Sequence, residues 1–85
     1  MKFGGTSVRD DESRAAALAQ VRRHYKVGKR IVIVVSAMGR QGEPYATDTL
    51  IGLLRDVGEP VTPRELDLIM SCGETISAAF FAHLL

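Results

Sequence analysis

The sequence predicts an α/β fold, and three observations carry that reading: a short uninterrupted run of β-branched residues, helical periodicity on both sides of it, and glycines at the junctions. The run is Ile31 to Val35. A continuous β-branched stretch of that length is the pattern of a parallel strand covered on both faces, since neither face alternates with solvent. No internal repeat or low-complexity tract breaks the pattern, and the 85 residues read as at most one domain.

Taken in order, Lys2-Phe3-Gly4-Gly5 reads as the end of a strand turning toward a helix, with the body of that strand expected before Lys2, where only Met1 stands. Asp10 to Lys26 is helical: Asp10 serves as N-cap, Asp11 and Glu12 suit the first turn, and Leu18, Val21 and Tyr25 share one stripe. Gly28 stops this helix, while Lys26 and Lys29 suit its negative pole and Arg22 and Arg23 form a solvated face. After the Ile31–Val35 strand, Ser36, Ala37 and Gly39 fall at the C-terminal edge, where open α/β sheets place their ligands. Residues 39 to 46 carry two glycines and a proline and read as a loop. Thr47 or Asp48 then caps a helix on which Leu50, Leu53, Leu54 and Val57 form the apolar face, ending at Gly58. Thr62 opens the last helical stretch, with Pro63 at its first position, Glu65 completing a capping box, and Val61 and Leu66 as a staple. Leu66, Ile69 and Met70 make one stripe, Gly73 is expected to interrupt, and Ile76, Phe80 and Leu84 resume on a second helix or a bent continuation.

Composition excludes several functions. Eleven basic and ten acidic residues, mixed along the chain, leave a net charge of +1 and no sustained field for nucleic acid or an anionic membrane. No apolar run approaches the length of a bilayer span, and no long hydrophobic leader stands at the N-terminus, so the expected location is cytoplasmic. Cys72 is the single cysteine, which rules out an intrachain disulfide and is expected to be a packed helical thiol rather than a nucleophile. His24 and His83 have no second ligand at metal spacing, and Glu43 and Asp48 read as loop and cap charges, so no metal site is expected from the chain.

The stretch KFGGTSV at positions 2 to 8 carries the chemistry. Glycines let backbone N–H groups approach phosphate oxygens, and a lysine beside them offsets charge on a transferring phosphoryl group. The P-loop pattern fails because its lysine follows the glycines, whereas Lys2 precedes Gly4 and Gly5. Spacing alone leaves two readings open: an anion grip, or a turn in which Thr6 and Ser7 are local turn residues.

KFGGTSV followed by a helix, then VVSAMG, TDTL and SCGETIS in that order, resembles the N-terminal segment of the aspartokinases. The linking segment GRQGEPYATDTL is most similar to the lysine-pathway isozymes of spore-forming bacilli. The resemblance implies the three-layer α/β/α amino-acid kinase fold, with residues 1–85 as the N-terminal part of the kinase domain, and without the adenine region or the regulatory ACT domains. It implies phosphoryl transfer from ATP to the side-chain carboxylate of L-aspartate, giving 4-phospho-L-aspartate, the step that feeds lysine, threonine and methionine synthesis. ATP and Mg2+ are implied as substrate and metal and a homo-oligomer as the parent assembly; the same N-terminal domain also opens bifunctional aspartokinase–homoserine dehydrogenases. By the same resemblance Lys2 contacts the transferring phosphoryl, Gly4 and Gly5 supply amides, and Thr6 and Ser7 line the phosphate pocket. Ser36 and Thr47 hydrogen-bond the aspartate, and Glu74 receives its ammonium group. A strand-end serine, a capping threonine and a helix-start glutamate are the structural alternatives for those three. The 85 residues alone are expected to be inactive, and a noncatalytic remnant or interaction module keeping the start of the fold is the rival function.

Overall fold

Lys2–Phe3 (β1) and Val34–Val35 (β2) pair as parallel strands, with Lys2 opposite Val34 and Phe3 opposite Val35. The computed structural model describes residues 1–40 and 42–85. The pairing extends past both strands: the Met1 amino group donates to the Val32 carbonyl at 2.6 Å, Val34 N–H to Met1 O at 2.8 Å, and Ser36 N–H to Phe3 O at 3.1 Å. The first three residues thus pair along residues 32 to 36. Parallel strands need a crossover, and here it is supplied by a 3-10 turn at Gly5–Ser7 and the helix Asp11–Lys26 (α1).

The ends of α1 follow from local chemistry. Asp10 is extended, and its carboxylate accepts the Ser13 N–H at 2.8 Å, satisfying one of the helix's unpaired donors. That backbone N–H, helped by the Arg9 guanidinium, holds the Asp10 carboxyl below its ordinary pKa. At the other end Gly28 takes a φ of +87°, where a side chain would be strained.

Thr47–Val57 (α2) and Pro63–Leu84 (α3) follow β2. The N-cap of α2 is Ala46 rather than Thr47 or Asp48, because a turn closed by Ala46 N–H to Glu43 O at 3.2 Å carries the backbone straight into the helix. The hydroxyl that ties this corner is that of Thr49, which donates to the Glu43 carbonyl at 2.6 Å. At the start of α3, Pro63 holds the expected first position, but Thr62 makes no side-chain capping bond. This end is exposed, so its first N–H groups are open to solvent and need no side-chain cap.

The second helix that could have begun after Gly73 does not form: α3 runs as one helix from Pro63 to Leu84, with Gly73 buried inside it. A mid-helix glycine costs about 1 kcal/mol against alanine. That cost is outweighed here by packing, since the missing side chain is what lets α3 approach the chain leaving β2.

The core consists of Val8, Ala17, Val21, Met38 and Phe81, with Phe3, Ile31, Ile33, Val35 and Ile76 packed against it. Phe3 and Phe81 stack with ring centroids 5.5 Å apart. Both α1 and α3 therefore pack on the face carrying residues 31, 33 and 35. Within these 85 residues the opposite face keeps Val32 77% and Val34 53% exposed. Tyr25 also departs from its expected stripe, because α1 has run past the end of the core by that turn and the ring is exposed.

Candidate active site

Ala37 is where three segments of the chain meet. It follows Ser36, is 7% exposed, and lies between two glycines that arrive from opposite ends of the chain. A Cβ on Gly5 would stand 2.6 Å from the Ala37 carbonyl oxygen and 2.8 Å from that of Gly39. A Cβ on Gly73 would stand 2.7 Å from the Ala37 Cβ and 3.4 Å from Leu50 Cδ1. Neither position tolerates a side chain without movement, so the glycine-rich N-terminal turn, the end of β2 and the middle of α3 are in direct contact. Gly39 N–H further ties the two loops by donating to Gly5 O at 3.0 Å.

This convergence sets the positions of the individual residues. Lys2 is exposed on β1, on the same uncovered face as Val32 and Val34, while its neighbour Phe3 points into the core. Gly4 has open space where a side chain would be, in contrast to the crowded Gly5, so the two adjacent glycines answer different needs. Thr6 and Ser7 lie on the 3-10 turn and line a shallow recess of about 350 Å3 together with Phe3 and Ser13. Ser36 is half-buried, with its amide committed to Phe3 O. Thr47 is the first residue of α2, one turn before the Leu50 that touches Gly73. Glu74 is exposed on α3, directly after Gly73.

Among the described residues, the side chains of Lys2, Thr6, Ser7, Ser36, Thr47 and Glu74 make no hydrogen bond or ion pair within the protein. The capping work that Thr47 was expected to perform falls to the backbone and to Thr49. A groove of about 750 Å3 lined by Leu18, Tyr25, Lys29, Ile31 and Leu84 lies at the other end of β2 and contains none of these residues. No group of three or more His, Cys, Asp or Glu side chains among the described residues is arranged to hold a metal ion. No helix among them is long and apolar enough to cross a membrane.

Two features were not legible in the sequence. Cys72, expected to be packed, is exposed, because Gly73 and Ser77 take the inward face of α3 and leave the thiol on the outer one, where it donates to the Leu68 carbonyl at 3.4 Å. Arg14 is the second: it lies on α1 amid an alanine-rich stretch, yet its side chain is only 14% exposed. Its position, four residues after the N-cap, marks it in retrospect as facing the turn at Gly5–Ser7.

The amino acid kinase family profile matches residues 1–85. The chain belongs to the amino acid kinase family. Within it, aspartokinase 1 of Bacillus subtilis (strain 168) is 54% identical over 84 residues, covering 99% of this chain and 21% of that protein. An aspartokinase of Thermus thermophilus is 44% identical over 82 residues, 95% of this chain and 19% of that protein. The crystal structure of aspartate kinase from Synechocystis superimposes with a TM-score of 0.82 at 37% identity, over 95% of this chain and 13% of that one. The chain thus spans about a fifth of the length of the curated relatives it matches. The helices and small parallel sheet of this family member are a segment of the amino acid kinase fold, in agreement with the fold class read from the sequence.

Proposed function

We propose that these residues form the opening part of the catalytic domain of an aspartate kinase, which transfers the γ-phosphoryl group of ATP to the side-chain carboxylate of L-aspartate. The observation that carries this reading is the contact of Ala37 with both Gly5 and Gly73, which gathers the glycine turn beside Lys2, the strand-end Ser36 and the helix bearing Glu74. The family match and the resemblance to aspartokinases support it.

The chemistry asks little of a base. A carboxylate with a pKa of about 4 is already ionised at neutral pH, so the protein's work is to position the two substrates and to stabilise charge. One carboxylate oxygen of aspartate attacks the γ-phosphorus, the bond to the bridging oxygen breaks, and ADP departs. In this reading Lys2 meets the charge that builds on the transferring group, and Gly4 and Gly5 turn backbone amides toward the phosphates. Thr6 and Ser7 line the same side. Ser36 and Thr47 hydrogen-bond the aspartate, and Glu74 takes its ammonium, which selects an α-amino acid over a plain dicarboxylate. Mg2+ bound with ATP would neutralise phosphate charge, and no residue of this chain is assigned to it. A role in the pathway to lysine, threonine and methionine, likeness to the bacillar lysine-pathway isozymes, a cytoplasmic location and a homo-oligomeric parent belong to the same proposal.

The test is coupled ADP release by the full-length protein carrying these residues, with aspartate and acetylglutamate as alternative acceptors. Aspartate-dependent release is expected. In Glu74→Gln the KM for aspartate rises about tenfold or more while that for ATP changes little, because a charge-assisted bond worth roughly 1.5–3 kcal/mol is weakened. Equal effects on both substrates would make Glu74 a structural residue, and release driven by another acceptor would overturn the assignment.

A further inference from the structure

The Arg14 guanidinium touches all three segments that carry the site. Its Nη1 donates to the Val8 carbonyl at 3.0 Å and lies 3.5 Å from Met38 Sδ, and its Nη2 donates to Asp11 Oδ1 at 2.8 Å. The planar group also stands 5.5 Å from the centre of the Phe80 ring, a cation–π distance. Val8 closes the turn that bears Gly4 to Ser7, with its N–H donating to Gly5 O at 3.4 Å. Met38 is the residue after Ala37, and Phe80 lies on α3 downstream of Glu74.

We infer that Arg14 is a positioning residue for the proposed phosphoryl transfer, holding the Gly5–Val8 turn, the loop after β2 and α3 in fixed mutual register. The inference rests on the aspartate kinase reading above. The Val8 carbonyl, on a residue 1% exposed, needs a hydrogen-bond donor, but a single N–H satisfies it, whereas this side chain also meets Met38 and Phe80. What an arginine adds is a rigid planar fork that donates in one direction, stacks in another, and has its charge balanced by Asp11. Lysine offers a single point donor on a flexible stem, so it can reach the Val8 carbonyl without also bracing Met38 and Phe80. Loosening this clamp shifts the glycine turn relative to Ser36 and Glu74. Misplacement of about 1 Å at a reacting centre costs on the order of a hundredfold in rate.

The experiment measures steady-state ADP release and Tm for the full-length wild type, Arg14→Gln and Arg14→Lys. For Arg14→Gln, kcat per folded molecule falls about tenfold to a hundredfold, with the KM values for ATP and aspartate moving far less. Arg14→Lys recovers part of the loss at a Tm close to wild type. If Arg14→Gln does not fold, the lysine variant decides, since it too must show a lowered kcat. A kcat per folded molecule equal to wild type, with only Tm reduced, makes Arg14 purely structural and overturns the inference. A change confined to the KM of one substrate overturns it as well. A wild type without aspartate-dependent ADP release overturns the function reading and this inference together, whereas an active wild type with unimpaired variants overturns this inference alone.

Discussion

Replacing each of two helical glycines by alanine separates helix propensity from close packing in one experiment. Gly52 in α2 has nothing within 4 Å of where a Cβ would sit, whereas a Cβ on Gly73 in α3 would lie 2.7 Å from the Ala37 Cβ. Ordinary carbon–carbon contacts are about 3.5–4.0 Å, so α3 or the strand end must retreat by roughly 1 Å in Gly73→Ala. The gain in helix propensity is the same at both sites, about 0.8–1 kcal/mol. At Gly73 it is set against an overpacking cost of about 1–3 kcal/mol. Gly52→Ala is therefore stabilising by nearly the full propensity, and Gly73→Ala is neutral or destabilising by up to about 2 kcal/mol. The difference between the two variants measures the packing alone. Functionally, the same retreat moves Glu74 away from Ser36, and kcat/KM for aspartate falls on the order of tenfold to a hundredfold in Gly73→Ala only. Urea unfolding followed by circular dichroism, with steady-state kinetics on the same preparations, gives both quantities. If Gly73→Ala is as stabilising as Gly52→Ala and leaves aspartate kinetics intact, the close approach of α3 to Ala37 is not what assembles the site.

Lys2→Ala is expected to lower kcat by a factor on the order of 10² to 10³ with little change in Tm, since Lys2 is exposed and β1 pairs through its backbone; a wild-type kcat at saturating ATP removes Lys2 from the mechanism. Asp10→Ala lowers Tm at neutral pH by removing the cap. Because the folded Asp10 carboxyl titrates below its ordinary 3.8, its contribution is complete above that value and is lost as pH falls through the lowered one. The Tm gap between wild type and Asp10→Ala should therefore close in acid, and a gap that persists there would place the stabilisation elsewhere. The 85 residues alone should show no aspartate-dependent ADP release and a broad urea transition, because two strands of two residues each make a marginal sheet with one face open; a sharp cooperative transition with ADP release would refute this.

Features whose partners lie within a few residues were legible in the sequence. The Asp10 cap, the stop at Gly28, Pro63 at the start of α3 and the turn after Phe3 all stand where local rules put them, because caps and turns are satisfied by neighbouring backbone. The proposed site residues rest on the ordered motifs alone, since Ser36, Thr47 and Glu74 each have an ordinary local explanation. Tertiary structure decided the rest. Thr47 lost its expected capping role to a turn that begins at Glu43, and Gly73 turned from a helix break into a contact with Ala37. The single covered face of the strand and the clamp made by Arg14 depend on α1 and α3 meeting on the same side. A glycine lowers helix propensity wherever it stands, and an arginine suits an exposed helix face wherever it stands. Whether that glycine breaks the helix or packs it, and whether that arginine is solvated or braces three segments, is set by atoms brought close by folding and not by the residues beside it in the chain.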